Sequence, residues 1–174
     1  YHGAVGEADT TLITRTALTG YLEGARQEPE VNLVNAPSVA QALGLELIES
    51  RIAADTEYNE LLVAELRKAG QRFRVAGTII GRTPRIVEID RFYVDTNIRG
   101  HLLVVRNDDR PGIVGIVGTG LAKDELNIAN MSLARNKQRG NALSAIETDS
   151  PVPAELLAEF AATPGITEVR AIEL

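Results

Sequence analysis

Apolar and polar positions change period several times along this chain, and each change marks an element. Asp9-Thr10-Thr11 stands ahead of Leu12, Ile13, Leu18 and Leu22. A carboxylate or hydroxyl before an apolar stripe of helical period reads as a helix start, and Gly24 ends that helix. Asn35-Ala36-Pro37-Ser38 opens a second, short helix, with proline at an early helical position, and Gly44 stops it. Leu45, Leu47 and Glu49 then alternate with Glu46, Ile48 and Ser50, which predicts a strand. Glu60–Arg67 fits either period, because so short an apolar run is not decided by periodicity. The β-rich alternation of Arg72–Ile80, with Ala69-Gly70 as a hairpin turn between, tips Glu60–Arg67 to strand. Gly81-Arg82-Thr83-Pro84 reads as a turn and Arg85–Ile89 as a strand, which Arg91–Val94 continues after a break at Asp90.

The remainder has a clearer texture. His101–Arg106 is a strand, and Asn107-Asp108-Asp109-Arg110 is a polar turn. Pro111 takes the first helical position, and Ile113, Val114, Ile116, Val117 and Leu121 supply an apolar face. Asn127–Ala134 and Ala142–Glu147 are strands joined by a hairpin loop at Lys137–Gly140. Pro151–Ala162 is a helix carrying Leu156, Leu157 and Phe160, Pro164-Gly165 ends it, and Ile166–Leu174 is the last strand. The order β-α-β-β-α-β predicts a ferredoxin-like sheet with two helices on one face. The fold class is therefore α+β, a mixed first domain over 1–96 followed by this βαββαβ domain over 97–174, with the junction at Asp95-Thr96-Asn97.

Composition narrows the chemistry. The 174 residues are 44% apolar with net charge −6, which excludes bulk disorder and argues against a general nucleic-acid binder. No apolar run is long enough to span a membrane. Without cysteine there is no disulfide, thiolate nucleophile or cysteine zinc site. Two histidines, His2 and His101, do not make a histidine-rich metal site, and no metal is expected. The chain starts at Tyr1 and its single methionine is Met131, so it reads as a piece of a longer protein.

The segment Val105–Ile113 is the most specific for chemistry. A strand feeds a polar turn and then Pro111-Gly112 opens a helix, whose first N–H groups have no internal partner and carry the positive end of the dipole. Such an end suits a small carboxylate. Gly112 permits close approach, and Asp109 is an acceptor for an ammonium group. Together they describe a site for a free α-amino acid. The plainer reading is that Asp108 or Asp109 bonds the turn backbone and glycine makes the bend, and the residues alone leave both open.

RNDDRPGIVGIVGTGLAKDELNIANMSL, Arg106–Leu133, resembles an ACT domain, the amino-acid-binding regulatory module. VNLVNAP at Val31–Pro37, VAGTIIGRTPRIVEID at Val75–Asp90 and GHLLVVRNDDRPG at Gly100–Gly112 resemble the regulatory region of long-form D-3-phosphoglycerate dehydrogenases. There an intervening domain, also called the allosteric substrate-binding domain, precedes ACT. The resemblance implies feedback control of the first step of serine biosynthesis in a cytoplasmic homo-oligomer. L-serine would bind between ACT domains of neighbouring subunits. The implied effector residues are Asn107, Asp109 and Asn127, with Pro111 and Gly112 shaping the turn. This sequence departs from the family pattern in two places. Asn107 stands where relatives often have His or Tyr, and Lys123-Asp124-Glu125 replaces a cap whose last position is usually Gly.

A second candidate is basic. Between Arg67 and Arg91 seven cations face two anions, a local +5 within a chain of −6. Arginine holds phosphate or carboxylate bidentately, and a solvated strand face explains the same run. The family's intervening domain is thought to take an anion, and the candidates here are Arg82, Arg85 and Arg99.

The parent enzyme that the resemblance implies uses NAD. A dinucleotide site needs a strand, a G-x-G-x-x-G turn and a helix. Gly115, Gly118 and Gly120 have the wrong spacing and fall inside a helix, so no cofactor and no catalysis are expected of this chain by itself. The alternatives are the regulatory region of an iron–sulfur L-serine dehydratase or another amino-acid-sensing ACT protein, and an RNA-recognition module of the same βαββαβ order. The last needs aromatic residues on the central strands, and His101–Arg106 and Ala142–Glu147 contain none.

Overall fold

The computed structural model describes residues 1–25, 31–53, 57–136 and 140–174. It contains two compact units, Tyr1–Ala64 and Glu65–Leu174.

In the first unit, β1 (His2–Gly3) pairs antiparallel with the start of β2 (Glu60–Lys68) through His2↔Leu61 and Gly3↔Glu60. Two helices follow β1, α1 (Thr11–Ala25) and α2 (Ala36–Ala42). Asp9 Oδ1 accepts the Thr11 N–H at 3.0 Å, which starts α1. Asn32 Oδ1 accepts the N–H groups of Val34 and Asn35, and Asn35 Oδ1 accepts that of Asn32 at 2.8 Å. These paired asparagine turns deliver the chain into α2 with Pro37 in its first turn. Leu18, Leu22, Val31, Ala36 and Ala40 form the core. The strand expected over Leu45–Ser50 is absent; the segment has no ladder, and Leu47 and Ile48 are exposed. It is held instead by side chains, since Thr10 and Thr14 of the α1 start both donate to the Glu49 carboxylate.

β2 continues into the second unit. There follow β3 (Gln71–Ile80), β4 (Thr83–Ile89), β5 (Phe92–Asn97), β6 (His101–Asp108), α3 (Ile113–Lys123), β7 (Ile128–Asn136), β8 (Asn141–Thr148), α4 (Ala154–Ala161) and β9 (Ile166–Glu173). β3 pairs with β4 and β4 with β5, all antiparallel. The order β7-β8-β6-β9 is that of a ferredoxin-like sheet, again wholly antiparallel. One face of this sheet buries Leu103, Val105 and Ile146 against Ile113, Val117, Leu121, Leu156 and Phe160 of the helices. Alternation along the strands aims Leu102, Val104, Leu143 and Ala145 at the other face, where Phe92 and Val94 of β5 cover them. The sheet is therefore packed on both sides.

Four local expectations are corrected. Arg91–Val94 does not continue β4: Asp90 and Arg91 both have positive φ, the geometry of a two-residue reversing turn, and β5 runs back antiparallel. Asn107 and Asp108 belong to β6, because their partners Ala142 and Asn141 extend the β8 ladder to its end. Pro111 precedes α3, whose N-cap is Gly112 at φ +98°, a left-handed conformation that glycine adopts without strain. Of the apolar face expected on α3, only Ile113, Val117 and Leu121 are buried, while Val114 and Ile116 are 47% and 44% exposed. Part of the expected Lys137–Gly140 loop, 137–139, lies outside the described residues.

Candidate functional site

The end of β6 and the start of α3 place the effector candidates, and the register of the sheet decides which of them meet. Asn107 pairs with Ala142 and Ile166, at one end of the sheet. Asn127 immediately precedes Ile128, which pairs with Thr148, and Thr148 pairs with His101 at the opposite end of β6. Asn107, Asp109, Pro111 and Gly112 are thus brought together by one chain, and Asn127 is not among them.

Asn107 is only 5% exposed. Its Nδ2 donates to the Asp108 carbonyl at 2.6 Å, and its Oδ1 is buried with no hydrogen-bond partner among the described residues. A buried acceptor left unmade costs about 1–3 kcal/mol, so this oxygen stands out. Asp109 Oδ2 accepts from Arg135 Nε at 2.7 Å and pairs with its NH2 group at 2.6 Å. That hydrogen bond raises the Arg135 pKa above its ordinary value. Both contacts use Oδ2, so among the described residues Asp109 Oδ1 keeps its acceptor capacity. The Asp109 N–H is anchored on the Gly140 carbonyl at 2.6 Å. At the far end, Asn127 Nδ2 donates to Asp149 Oδ2 at 2.9 Å, and the Asn127 carbonyl accepts the Asp149 N–H.

The basic run is mostly neutralised. Glu65 takes Arg67 at 2.6 Å and Arg72 at 3.4 Å, and Arg74 reaches Glu88 at 2.6 Å. The Arg67 hydrogen bond holds the Glu65 carboxyl below the usual glutamate range. Arg85 donates to Asp95 and to Asn97, each at 2.6 Å, with only 18% of its side chain exposed. Arg82 and Arg99 are exposed, in separate turns.

Gly115, Gly118 and Gly120 lie in the body of α3, not at a strand-to-helix turn, and a Cβ on Gly120 would come 2.5 Å from the Phe160 ring. Gly120 thus serves helix packing, and none of the three stands at the turn a dinucleotide needs. Among the described residues no group of three His, Cys, Asp or Glu is placed to hold a metal ion, and no helix is long and apolar enough to cross a membrane.

Sequence reasoning missed Arg135 and Glu147. Arg135 lies 26 positions from Asp109, and no local pattern signals the pairing. Glu147 is 9% exposed in β8. Its carboxylate accepts from the Thr96 hydroxyl at 2.8 Å, the Asn97 N–H at 2.8 Å, Asn97 Nδ2 at 2.6 Å and Asn130 Nδ2 at 3.0 Å. Burial pushes its pKa up, but the bonds from Asn130, Asn97 and Thr96 outweigh that and hold it at about 2. This carboxylate fastens β5 onto the ferredoxin-like sheet.

The profile of the family described as "D-3-phosphoglycerate dehydrogenase intervening domain" matches residues 1–90. The chain is 32% identical to a D-3-phosphoglycerate dehydrogenase of Archaeoglobus fulgidus over 99% of its own length and 33% of that protein. It is 30% identical to those of Bacillus subtilis and Methanocaldococcus jannaschii, over 100% of its own length and 33% of each. It thus spans about a third of the length of these curated relatives.

Proposed function

The chain belongs to the D-3-phosphoglycerate dehydrogenase intervening-domain family, and from that premise we propose that it is a regulatory region of such an enzyme, binding L-serine between two copies of its ferredoxin-like domain. On this reading 1–96 is the intervening domain and 97–174 the ACT domain, and the NAD-dependent oxidation of 3-phosphoglycerate belongs to the parent enzyme in the cytoplasm.

The observation that carries the reading is the orphaned Asn107 Oδ1, buried at the end of β6. With Asp109 Oδ1 it supplies acceptor capacity for an ammonium group, and the first N–H groups of α3 suit a carboxylate. Asn127, at the other end of the sheet, enters such a site only from a second copy. The outer face of α3 supports self-association. Val114 and Ile116 are exposed on its two flanks, and between them a Cβ on Gly115 or Gly118 would meet nothing within 4 Å. Apolar side chains exposed on a helix are normally covered by a partner when they form a contiguous surface, and the open edges of β7 and β9 offer backbone groups for pairing.

A ligand held by both copies tightens the dimer, and the dimer tightens the ligand by the same factor. Losing one hydrogen bond to a charged group costs about 1.5–3 kcal/mol. Asp109→Ala or Asn127→Ala should therefore weaken L-serine binding about ten- to a hundredfold. Calorimetry with L-serine, D-serine and glycine, with sedimentation in the presence and absence of ligand, measures both effects. A wild-type monomer indifferent to L-serine refutes the reading.

An anion at the basic run is the second part of the proposal. Arg82 and Arg99 are exposed, whereas Arg85 would have to exchange Asp95 for the ligand. Arg85→Ala is expected to weaken phosphate or 3-phosphoglycerate binding, with an effect that shrinks as salt is added. Identical NMR shift changes in wild type and variant on phosphate titration would remove Arg85 from the site.

A further inference from the structure

We propose that Arg110 and Gly165 are a positioning pair for the loop ahead of α3, through which the turn between α4 and β9 sets where the first N–H groups of α3 stand. The Arg110 guanidinium donates to the Pro164 carbonyl. It also lies so close over Gly165 that a Cβ there would clash with it. Gly165 has φ +89° and gives up a side chain for this contact. The neighbouring backbone is tied in the same direction, because the Asp108 N–H donates to the Gly165 carbonyl at 2.8 Å.

On its other flank the loop is held by Asp109, through Arg135 and the Gly140 carbonyl. Asp108–Gly112 is therefore stretched between two anchors from different parts of the sheet. The Asp109 anchor engages a residue of the proposed effector site directly. The Arg110 side chain instead engages Pro164-Gly165, which is not part of that site. Planarity is what makes the arginine suited to this place. A guanidinium can lie flat on a bare glycine backbone while donating to the adjacent carbonyl, and a lysine ammonium can only donate. This inference rests on the effector reading for its consequence in binding, but not for its geometry.

Amide hydrogen exchange and L-serine calorimetry on the whole chain test it, using Arg110→Ala, Arg110→Lys and Gly165→Ala. Arg110→Ala is expected to speed exchange at Asp108 and Arg110 about tenfold while β8 amides stay protected, since local opening is separable from global unfolding. L-serine affinity should fall about three- to tenfold with the dimer retained, and Arg110→Lys should recover only part of either effect. Gly165→Ala, strained in itself at φ +89°, should loosen the loop in the wild type and cost less in the Arg110→Ala background, where the clash with the guanidinium is gone; that shortfall is the signature of a coupled pair. Unchanged exchange at Asp108 in Arg110→Ala, or additive effects of the two substitutions, overturns the pair. If the wild type does not bind L-serine yet exchange responds as described, the effector reading fails and the positioning pair stands.

Discussion

Glu147→Ala is expected to lower the stability of the Glu65–Leu174 unit by about 3–5 kcal/mol, because it removes the shared acceptor of the buried Thr96 hydroxyl and of the half-buried Asn97 donors, while Asn130 keeps the Asp95 carbonyl. Glu147→Gln keeps the shape but turns an amide toward the Asn97 donor, and about 2–4 kcal/mol should be lost. The charge also makes stability depend on acid. The folded carboxyl titrates near 2 and the unfolded one near 4.5. A depressed folded pKa contributes its full stabilisation above the unfolded value and loses it as pH falls through the folded one. The wild type should therefore shed about 3 kcal/mol between pH 4.5 and pH 2. The Gln variant should lack that component. Urea denaturation of both proteins across this range measures the difference, and parallel acid profiles would show that Glu147 does not carry it.

Phe160→Ala should be about as damaging, at 3–5 kcal/mol. Phe160 is 1% exposed at the centre of the helix-side core, and Gly120 is the residue that makes room for its ring. Gly120→Val alone should overpack this contact and cost about 1–3 kcal/mol. Combined with Phe160→Ala, the valine would partly refill the space, so the pair should be less destabilised than the sum of the single changes. Chemical denaturation of the four proteins gives the coupling directly, and strict additivity would separate Gly120 from Phe160 energetically.

These two contacts show the limits of reading function and fold from the chain alone. Phe160 could be assigned to a core because its helical spacing from Leu156 is a local signal. That Gly120 faces it was not legible: three glycines lie in α3, and only packing distinguishes Gly120 from Gly115 and Gly118. Glu147 sits in a strand of apolar neighbours and gives no sign of its partners, which lie 17 to 51 positions away.

What the sequence by itself determined is the set of short-range decisions. The helix opening at Asn35-Ala36-Pro37, the order βαββαβ, the Ala69-Gly70 hairpin and the passage from strand through a polar turn into a helix before Ile113 follow from periodicity, caps and turn residues, which act within a few positions. The tertiary structure alone decided whatever depends on a partner across the sheet. Leu45–Ser50 alternates as a strand should but finds no ladder, since hydrogen-bonding groups need a neighbour and not only a pattern. The Asp90-Arg91 reversal places β5 on the open face of the ferredoxin-like sheet, where its apolar side replaces water. The basic run from Arg67 to Arg91 looks like an excess of charge in one dimension, yet Glu65, Glu88 and Asp95 fold onto it from neighbouring strand positions, and of these pairs Arg74–Glu88 is the one largely withdrawn from water, where a charge must be paired.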